Sequence, residues 1–297
     1  MNRALIVIGG PTASGKTAAA VAVARHFGTE VISADSRQFY HAMRIGTARP
    51  TAAELQGVPH HFLGHLELAE TWSAGAFARA AEPVLQRILA DRGRAVLTGG
   101  SGLYIDALVK GLDPLPAGDV RLREKLRQRL AKDGLPALVH ELHRLDPATA
   151  ERIDRDNPHR VLRALEVCLV TGRPYSAQRS HAADRTDMRI VRIAMDLPRT
   201  ELYRRIDARV DRMVADGLVA EARSLLPYRA HNALRTVGYR ELFLHFDGTL
   251  TLEQAIALVK QHTRNYAKRQ LTWLRRDAGW QWTAPTDTAA MTALAAR

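Results

Sequence analysis

Leu5-Ile6-Val7-Ile8-Gly9-Gly10-Pro11-Thr12-Ala13-Ser14-Gly15-Lys16-Thr17 decides the fold of this chain. Four consecutive apolar residues ending in glycine suit a strand buried on both faces of a parallel sheet. Gly10, Pro11, Thr12, Ala13, Ser14, Gly15, Lys16 and Thr17 match GxxxxGK[ST], a loop that sets successive backbone N–H groups and a helix N-terminus around an oxyanion. Lys16 supplies a point charge, and Thr17 is a hydroxyl ligand for Mg2+. Residues 17–27 are alanine-rich and stop at Gly28, which predicts the helix that the loop must feed. The motif announces a diphosphate or triphosphate without saying which.

Outward from the loop, Val31–Ala34 and Arg94–Thr98 read as further buried strands, with a helix over Ser73–Asp91 between them. Strands alternating with helices predict a doubly wound α/β fold, a P-loop NTPase-like parallel sheet. From Pro114 the pattern turns helical. Leu122, Leu126 and Leu130 recur at i+4 while Arg121, Lys125, Arg129 and Lys132 take other faces, and Asn157-Pro158 opens a helix with Asn as N-cap and Pro at its first position. Ile190–Met195 returns to strand composition. Residues 1–113 and 190–297 are therefore expected to form the core with its C-terminal helices, and 114–189 a mostly helical insertion. The Ala/Thr-rich last twenty residues are expected to be peripheral.

The chain has 297 residues, 46% of them hydrophobic, which disfavours disorder. No stretch reaches the roughly 18 apolar residues of a membrane span, and the start lacks the pattern of an export signal. Cys168 is the single cysteine, so internal disulfides and cysteine zinc clusters are excluded. A soluble, cytoplasmic protein is expected. The net charge of +12 points to a polyanionic partner. Residues 235–276 hold eight Lys/Arg against three Asp/Glu, and there Lys260, Arg264, Lys268 and Arg275 share one stripe of a predicted helix. Such a stripe is either a solvated face or a nucleic-acid surface, and His262, Tyr266 and Trp273 beside it either pack inward or stack on bases.

A small-molecule kinase is the default owner of such a loop. Thr98-Gly99-Gly100-Ser101, where a metal-associated acid often follows the third strand, has no carboxylate. The acid is instead Asp35, at the carboxyl end of the second strand, where open α/β sheets place ligands. Asp35 either faces the substrate or merely caps a turn.

Together with the loop, Asp35–Tyr40 and Ile45–Pro50 resemble the tRNA dimethylallyltransferases. The likeness continues through Pro59-His60-His61, Gly99–Tyr104, Asn157–Arg160 with Arg163–Glu166, Thr236–Arg240 and Lys268–Trp273, so it runs nearly the full chain in order. The resemblance implies transfer of a dimethylallyl group from dimethylallyl diphosphate to N6 of the adenosine 3′ to the tRNA anticodon (position 37). It implies that the loop holds that donor with Mg2+ bridging its phosphates. It also implies a target adenine drawn from the anticodon loop into a channel lined by Asp35, Ser36, Arg37 and Gln38. Lys16, Thr17 and an arginine, Arg209, are then the groups that stabilise the leaving diphosphate, and Asp35 accepts a hydrogen of the amine.

Contacts to the tRNA anticodon stem-loop are expected from Ser101, Arg123, the run His159, Arg160, Val161, Leu162 and Arg163, the run Arg235, Thr236, Val237, Gly238, Tyr239 and Arg240, and from Lys268 and Arg275. A monomer acting on one tRNA is expected. This chain departs from the family's common pattern in having Arg49 for lysine, Gly64 for aspartate and Trp72 for tyrosine. An adenylate isopentenyltransferase is the nearest rival. The helical insertion and the basic 235–276 region disfavour it, because an AMP-sized acceptor needs neither. A P-loop kinase and a non-catalytic RNA-binding module are the other readings, the last opposed by an intact Lys16, Thr17 and Asp35.

Overall fold

The structure is a computed structural model and describes residues 3–111, 113, 115–116, 118–179 and 185–296. Six strands, β1 (Ala4–Gly9), β2 (Val31–Ser33), β3 (His60–His61), β4 (Arg94–Gly99), β5 (Arg189–Met195) and β6 (Gln281–Thr283), form one sheet in the order β3-β2-β4-β1-β5-β6. Every pairing is parallel. Parallel neighbours need crossovers, and these are the helices α1 (Lys16–His26), α2 (Ala52–Leu55), α3 (Ala74–Arg92) and α4 (Gly102–Val109), with others further along. Strand β1 shows why its sequence is continuously apolar. Leu5 and Val7 enter one hydrophobic cluster while Ile6 and Ile8 enter another on the opposite face.

Local signals set the helix ends. The Ser73 hydroxyl accepts from the Ala76 N–H at the start of α3, and Gly93 closes that helix at a positive φ of 70°. Strand β3, two residues long, was not expected; its polar His60-His61 carries no apolar signal.

The chain divides into two compact units, Met1–Lys110 with Asp184–Arg297, and Gly111–Ala183. These boundaries differ from the 114 and 189 read in the sequence, and Pro114 itself lies outside the described residues. The second unit holds α5 (Val120–Leu145), α6 (Pro147–Arg152) and α7 (Pro158–Thr171). Gly134, at φ 79° and just before Pro136, breaks the regular turn of α5. Leu126, Leu138, Leu142, Val161 and Leu165 make the core of this unit, with Leu122 and Leu130 packed against it.

The first unit continues with α8 (Arg199–Ala215), α9 (Leu218–Leu225), α10 (Tyr239–Phe246), α11 (Leu252–Leu274) and α12 (Thr288–Ala296). The last twenty residues are not peripheral. They add β6 to the sheet edge and send Met291 and Ala295 into the cluster that holds Ile6, Ile8 and the alanines of α1. Alanine-rich helices bury closely without a strong apolar signal, which is why this one read as a tail. No described helix is long and apolar enough to cross a membrane.

Candidate active site

Between β1 and α1 the backbone turns sharply. The Ser14 N–H donates to the Pro11 carbonyl at 3.2 Å, Ala13 sits at φ 64°, and Gly15 at φ 90° directly precedes the first turn of α1. Glycine meets that positive φ without strain. Lys16 is half-buried at the helix start, and desolvation of its ammonium lowers its pKa to about 8. The Asp35 charge raises it and the Arg209 charge lowers it again. The hydroxyl of Ser14 is buried with no hydrogen-bond partner among the described residues. A buried hydroxyl in that state costs free energy unless a ligand satisfies it. Two groups from distant segments hold the loop. Gln270 accepts from the Thr12 N–H at 2.8 Å and donates to the Gly100 carbonyl at 2.9 Å, and Arg209 donates to the Thr12 hydroxyl at 3.2 Å.

Two cavities open in the first unit. The larger, about 690 Å³, is walled by residues 13–18 of the loop together with Arg44, Arg49, Arg209 and Arg212. Its excess of cations suits a small polyanion. The smaller, about 330 Å³, is walled by Asp35, Ser36, Arg37, Thr236, Tyr266 and their neighbours. Ala48, Arg209 and Met213 line both. Arg209 is on α8, and burial holds its pKa below the ordinary arginine value, with Arg212 lowering it further.

Asp35 leaves the end of β2 in a turn, its Oδ1 accepting the Arg37 N–H at 3.2 Å. It thus both caps the turn and faces the smaller cavity. Ser101 Oγ accepts the Ser36 N–H and donates to the Ser36 hydroxyl, both at 3.1 Å. Arg37 donates to the carbonyls of Asn232 and Ala233, and Gln38 to those of Thr47 and Ala48. These two side chains spend donors on tying loops together. Tyr266, expected only as a flanking aromatic, hydrogen-bonds Ser101 beside Asp35, and burial pushes its phenol pKa up.

The remaining expected contacts divide. Arg235, Thr236, Val237, Gly238 and Arg240 line the smaller cavity, and Lys268 is exposed on α11. Tyr239 is fully buried, its hydroxyl donating to Glu221 at 2.7 Å, so it braces the wall and offers nothing to the surface. In the second unit His159 and Arg160 are exposed, whereas Val161 and Leu162 are core residues. Arg123 and Arg163 both donate to buried Glu166, at 3.0 and 2.9 Å, which leaves part of each guanidinium outward. The α11 stripe is half neutralised, since Lys260 pairs with Asp211 and Arg264 with Asp207 on α8. Arg275 lies over the Trp282 ring. Trp273 packs inward on Trp280 and Gly102, and His262 reaches Glu241 at 2.6 Å.

Arg49 and Gly64 account for one another. Arg49 donates to the carbonyls of Tyr40 and His41, and a Cβ on Gly64 would lie 2.1 Å from its guanidinium. Trp72 joins the aromatic cluster of Phe39, His65 and Phe77 behind the Asp35 loop. Sequence reading missed Gln270 and Glu221, because their work is to bond backbone atoms of segments far away in the chain.

Residues 38–277 match the family model described as IPP transferase. The chain is 46% identical over 282 residues to the tRNA dimethylallyltransferase of Christiangramia forsetii, covering 95% of this chain and 93% of that protein. To the tRNA dimethylallyltransferase of Cytophaga hutchinsonii it is 45% identical, covering 96% and 94%. Among solved structures it resembles the full-length tRNA isopentenylpyrophosphate transferase of Bacillus halodurans, with 36% identity, a TM-score of 0.72, and 100% and 96% of the two chains covered. It also shares its fold with a eukaryotic dimethylallyltransferase, with a TM-score of 0.83 at 24% identity, over 99% of this chain and 77% of that one.

Proposed function

The chain belongs to the IPP transferase family, and on that premise we propose that it moves the dimethylallyl group of dimethylallyl diphosphate onto N6 of the adenosine 3′ to a tRNA anticodon (position 37), releasing diphosphate. One observation carries this reading: a basic phosphate-loop cavity and an Asp35 cavity share Arg209, Ala48 and Met213 as a common wall. Donor in the first and acceptor in the second would bring the allylic carbon to the amine across that wall.

The chemistry follows from the groups present. The N6 lone pair is delocalised into the purine, so the amine is a weak nucleophile. Asp35, accepting an N6–H hydrogen, aims it and takes the proton as the N–C bond forms. As the C–O bond to diphosphate breaks, negative charge grows on the leaving group. The loop amides, Lys16 and Arg209 stabilise that charge in a site already shaped for it. The unsatisfied Ser14 hydroxyl supports a phosphate oxygen beside it.

A divalent cation, expected to be Mg2+, fits Thr17, which lines the larger cavity and whose hydroxyl would provide one hard oxygen. Among the described residues no group of three or more His, Cys, Asp or Glu could hold a metal ion. This suits an ion carried in with the diphosphate, where it would offset phosphate charge. The tRNA is proposed to bind along Arg235, Arg240, Lys268, Arg275 and Ser101, and along Arg123, His159, Arg160 and Arg163 of the second unit. The enzyme is proposed to act in the cytoplasm as a monomer.

The test is a transfer assay with radiolabelled dimethylallyl diphosphate, Mg2+, unmodified tRNA and AMP. Label in tRNA, released on digestion as N6-prenyladenosine, is expected. Label in AMP and none in tRNA would make the chain an adenylate isopentenyltransferase, and phosphate transfer from ATP to a metabolite would make it a kinase.

A further inference from the structure

We infer that Glu221 is a positioning residue that fixes the wall between donor and acceptor cavities; this rests on the transfer reaction proposed above. Glu221 lies on α9, some 175 positions from the segment it holds. Its Oε2 accepts the N–H groups of Arg44 and Ile45 at 3.0 and 2.8 Å. Its Oε1 accepts the N–H of Gly46 at 2.9 Å and the hydroxyl of Tyr239 at 2.7 Å. Three successive backbone donors converging on one carboxylate make the kind of nest that ordinarily binds a free anion. Here the chain fills it from within.

The segment so held is the partition itself. Arg44, Ile45, Ala48 and Arg49 face the larger cavity, and Gly46, Thr47 and Ala48 the smaller. Its other bonds serve its later residues, with Gln38 donating to the Thr47 and Ala48 carbonyls and the Ala48 and Arg49 N–H groups donating to the Ile45 and Arg44 carbonyls, whereas the N–H groups of Arg44, Ile45 and Gly46 go to Glu221. Ala48 sits at φ 48°, and the Thr47 hydroxyl bonds back to the Met43 carbonyl. It also packs closely on Tyr239, since a Cβ on Gly46 would lie 2.6 Å from that ring. A neutral amide cannot replace the carboxylate. In Glu221→Gln one oxygen becomes an NH2 group; at the Oε2 place it meets two backbone N–H donors, and at the Oε1 place it meets the Gly46 N–H and only the Tyr239 hydroxyl can turn to accept from it, so at least one N–H loses its acceptor either way.

Displacing a wall that lines both sites should move both substrates out of register, and misplacements of about 1 Å cost up to about a hundredfold in rate. Glu221→Gln is therefore expected to raise KM for both dimethylallyl diphosphate and tRNA and to lower kcat roughly tenfold or more. Its melting temperature should fall by no more than about 4 °C. A merely structural glutamate would lower apparent kcat in proportion to the unfolded fraction and leave both KM values unchanged, and that result would overturn the inference. Should Glu221→Gln fail to fold, Gly46→Ala tests the same wall by pressing it off Tyr239. It is expected to give the same paired rise in KM, and wild-type KM values in that variant would overturn the inference equally. A wild-type protein that prenylates nothing would instead reject the reaction on which the inference rests.

Discussion

Lys16 sits where burial and charge oppose each other. Burial lowers its pKa to about 8, well below the 10.5 of a free lysine, so the ammonium is held against a desolvation cost. Below about pH 8 the side chain is charged in the folded protein, and above it neutral, while an unfolded chain keeps its proton up to about 10.5. Between those values the unfolded state binds more protons, so this group makes the ligand-free protein more stable as pH rises. Donor binding should run the other way. KM for dimethylallyl diphosphate is expected to climb as pH passes about 8 in wild-type protein, and Lys16→Arg should flatten that limb because its charge does not titrate. A donor KM constant from pH 7 to 9.5 would contradict a lysine that both holds the diphosphate and loses its charge near pH 8. Asp35→Ala should lower single-turnover rate far more than tRNA affinity, whereas equal losses in both would make Asp35 chiefly a binding residue. Asp35 was legible because it stands at the carboxyl end of a readable strand. Glu221 was not, since its partners are backbone N–H groups that no sequence pattern marks.

Among the elements, the C-terminal segment was the one most misread. Alanine and threonine give it weak periodicity, yet it completes the phosphate loop's surroundings. The Trp280 ring lies so close to Gly9 that a Cβ there would meet it at 2.7 Å, and Pro285 would meet a Cβ on Gly15 at 3.1 Å. Strand β6 pairs with β5, and α12 packs against α1. The loop is therefore backed by a segment some 270 residues away. Pro285→Gly, which removes the ring standing beside Gly15 while leaving Trp280 in place, is expected to raise the donor KM several-fold with tRNA KM unchanged; equal donor KM values would show that the loop keeps its shape alone. Elements with continuous apolar runs or clear caps, such as β1, β4 and α3, were readable from the sequence because local signals and burial agree there. The two-residue β3 was not, because its place in the sheet comes from pairing with β2.

At the scale of the whole molecule the charge of +12 has a structure. Residues 1–113, with the loop and Asp35, hold eleven Lys/Arg against nine Asp/Glu, whereas residues 235–276 carry a net +5. Part of that excess is internal, as the pairs of Lys260 with Asp211 and Arg264 with Asp207 show. Arg235, Arg240, Lys268 and Arg275 remain exposed. Affinity for tRNA should therefore fall steeply between 50 and 200 mM salt, by about a hundredfold or more if several phosphates are contacted, while donor KM changes little. Equal salt slopes for the two substrates would remove the basic surface from the account. Donor and acceptor are proposed to occupy the two cavities at the same time, across their common wall. Equilibrium binding of a tRNA anticodon stem-loop to enzyme saturated with an unreactive thio-analogue of dimethylallyl diphosphate tests it most directly. One stem-loop and one analogue bound together per chain is the result expected, and mutually exclusive binding would contradict it.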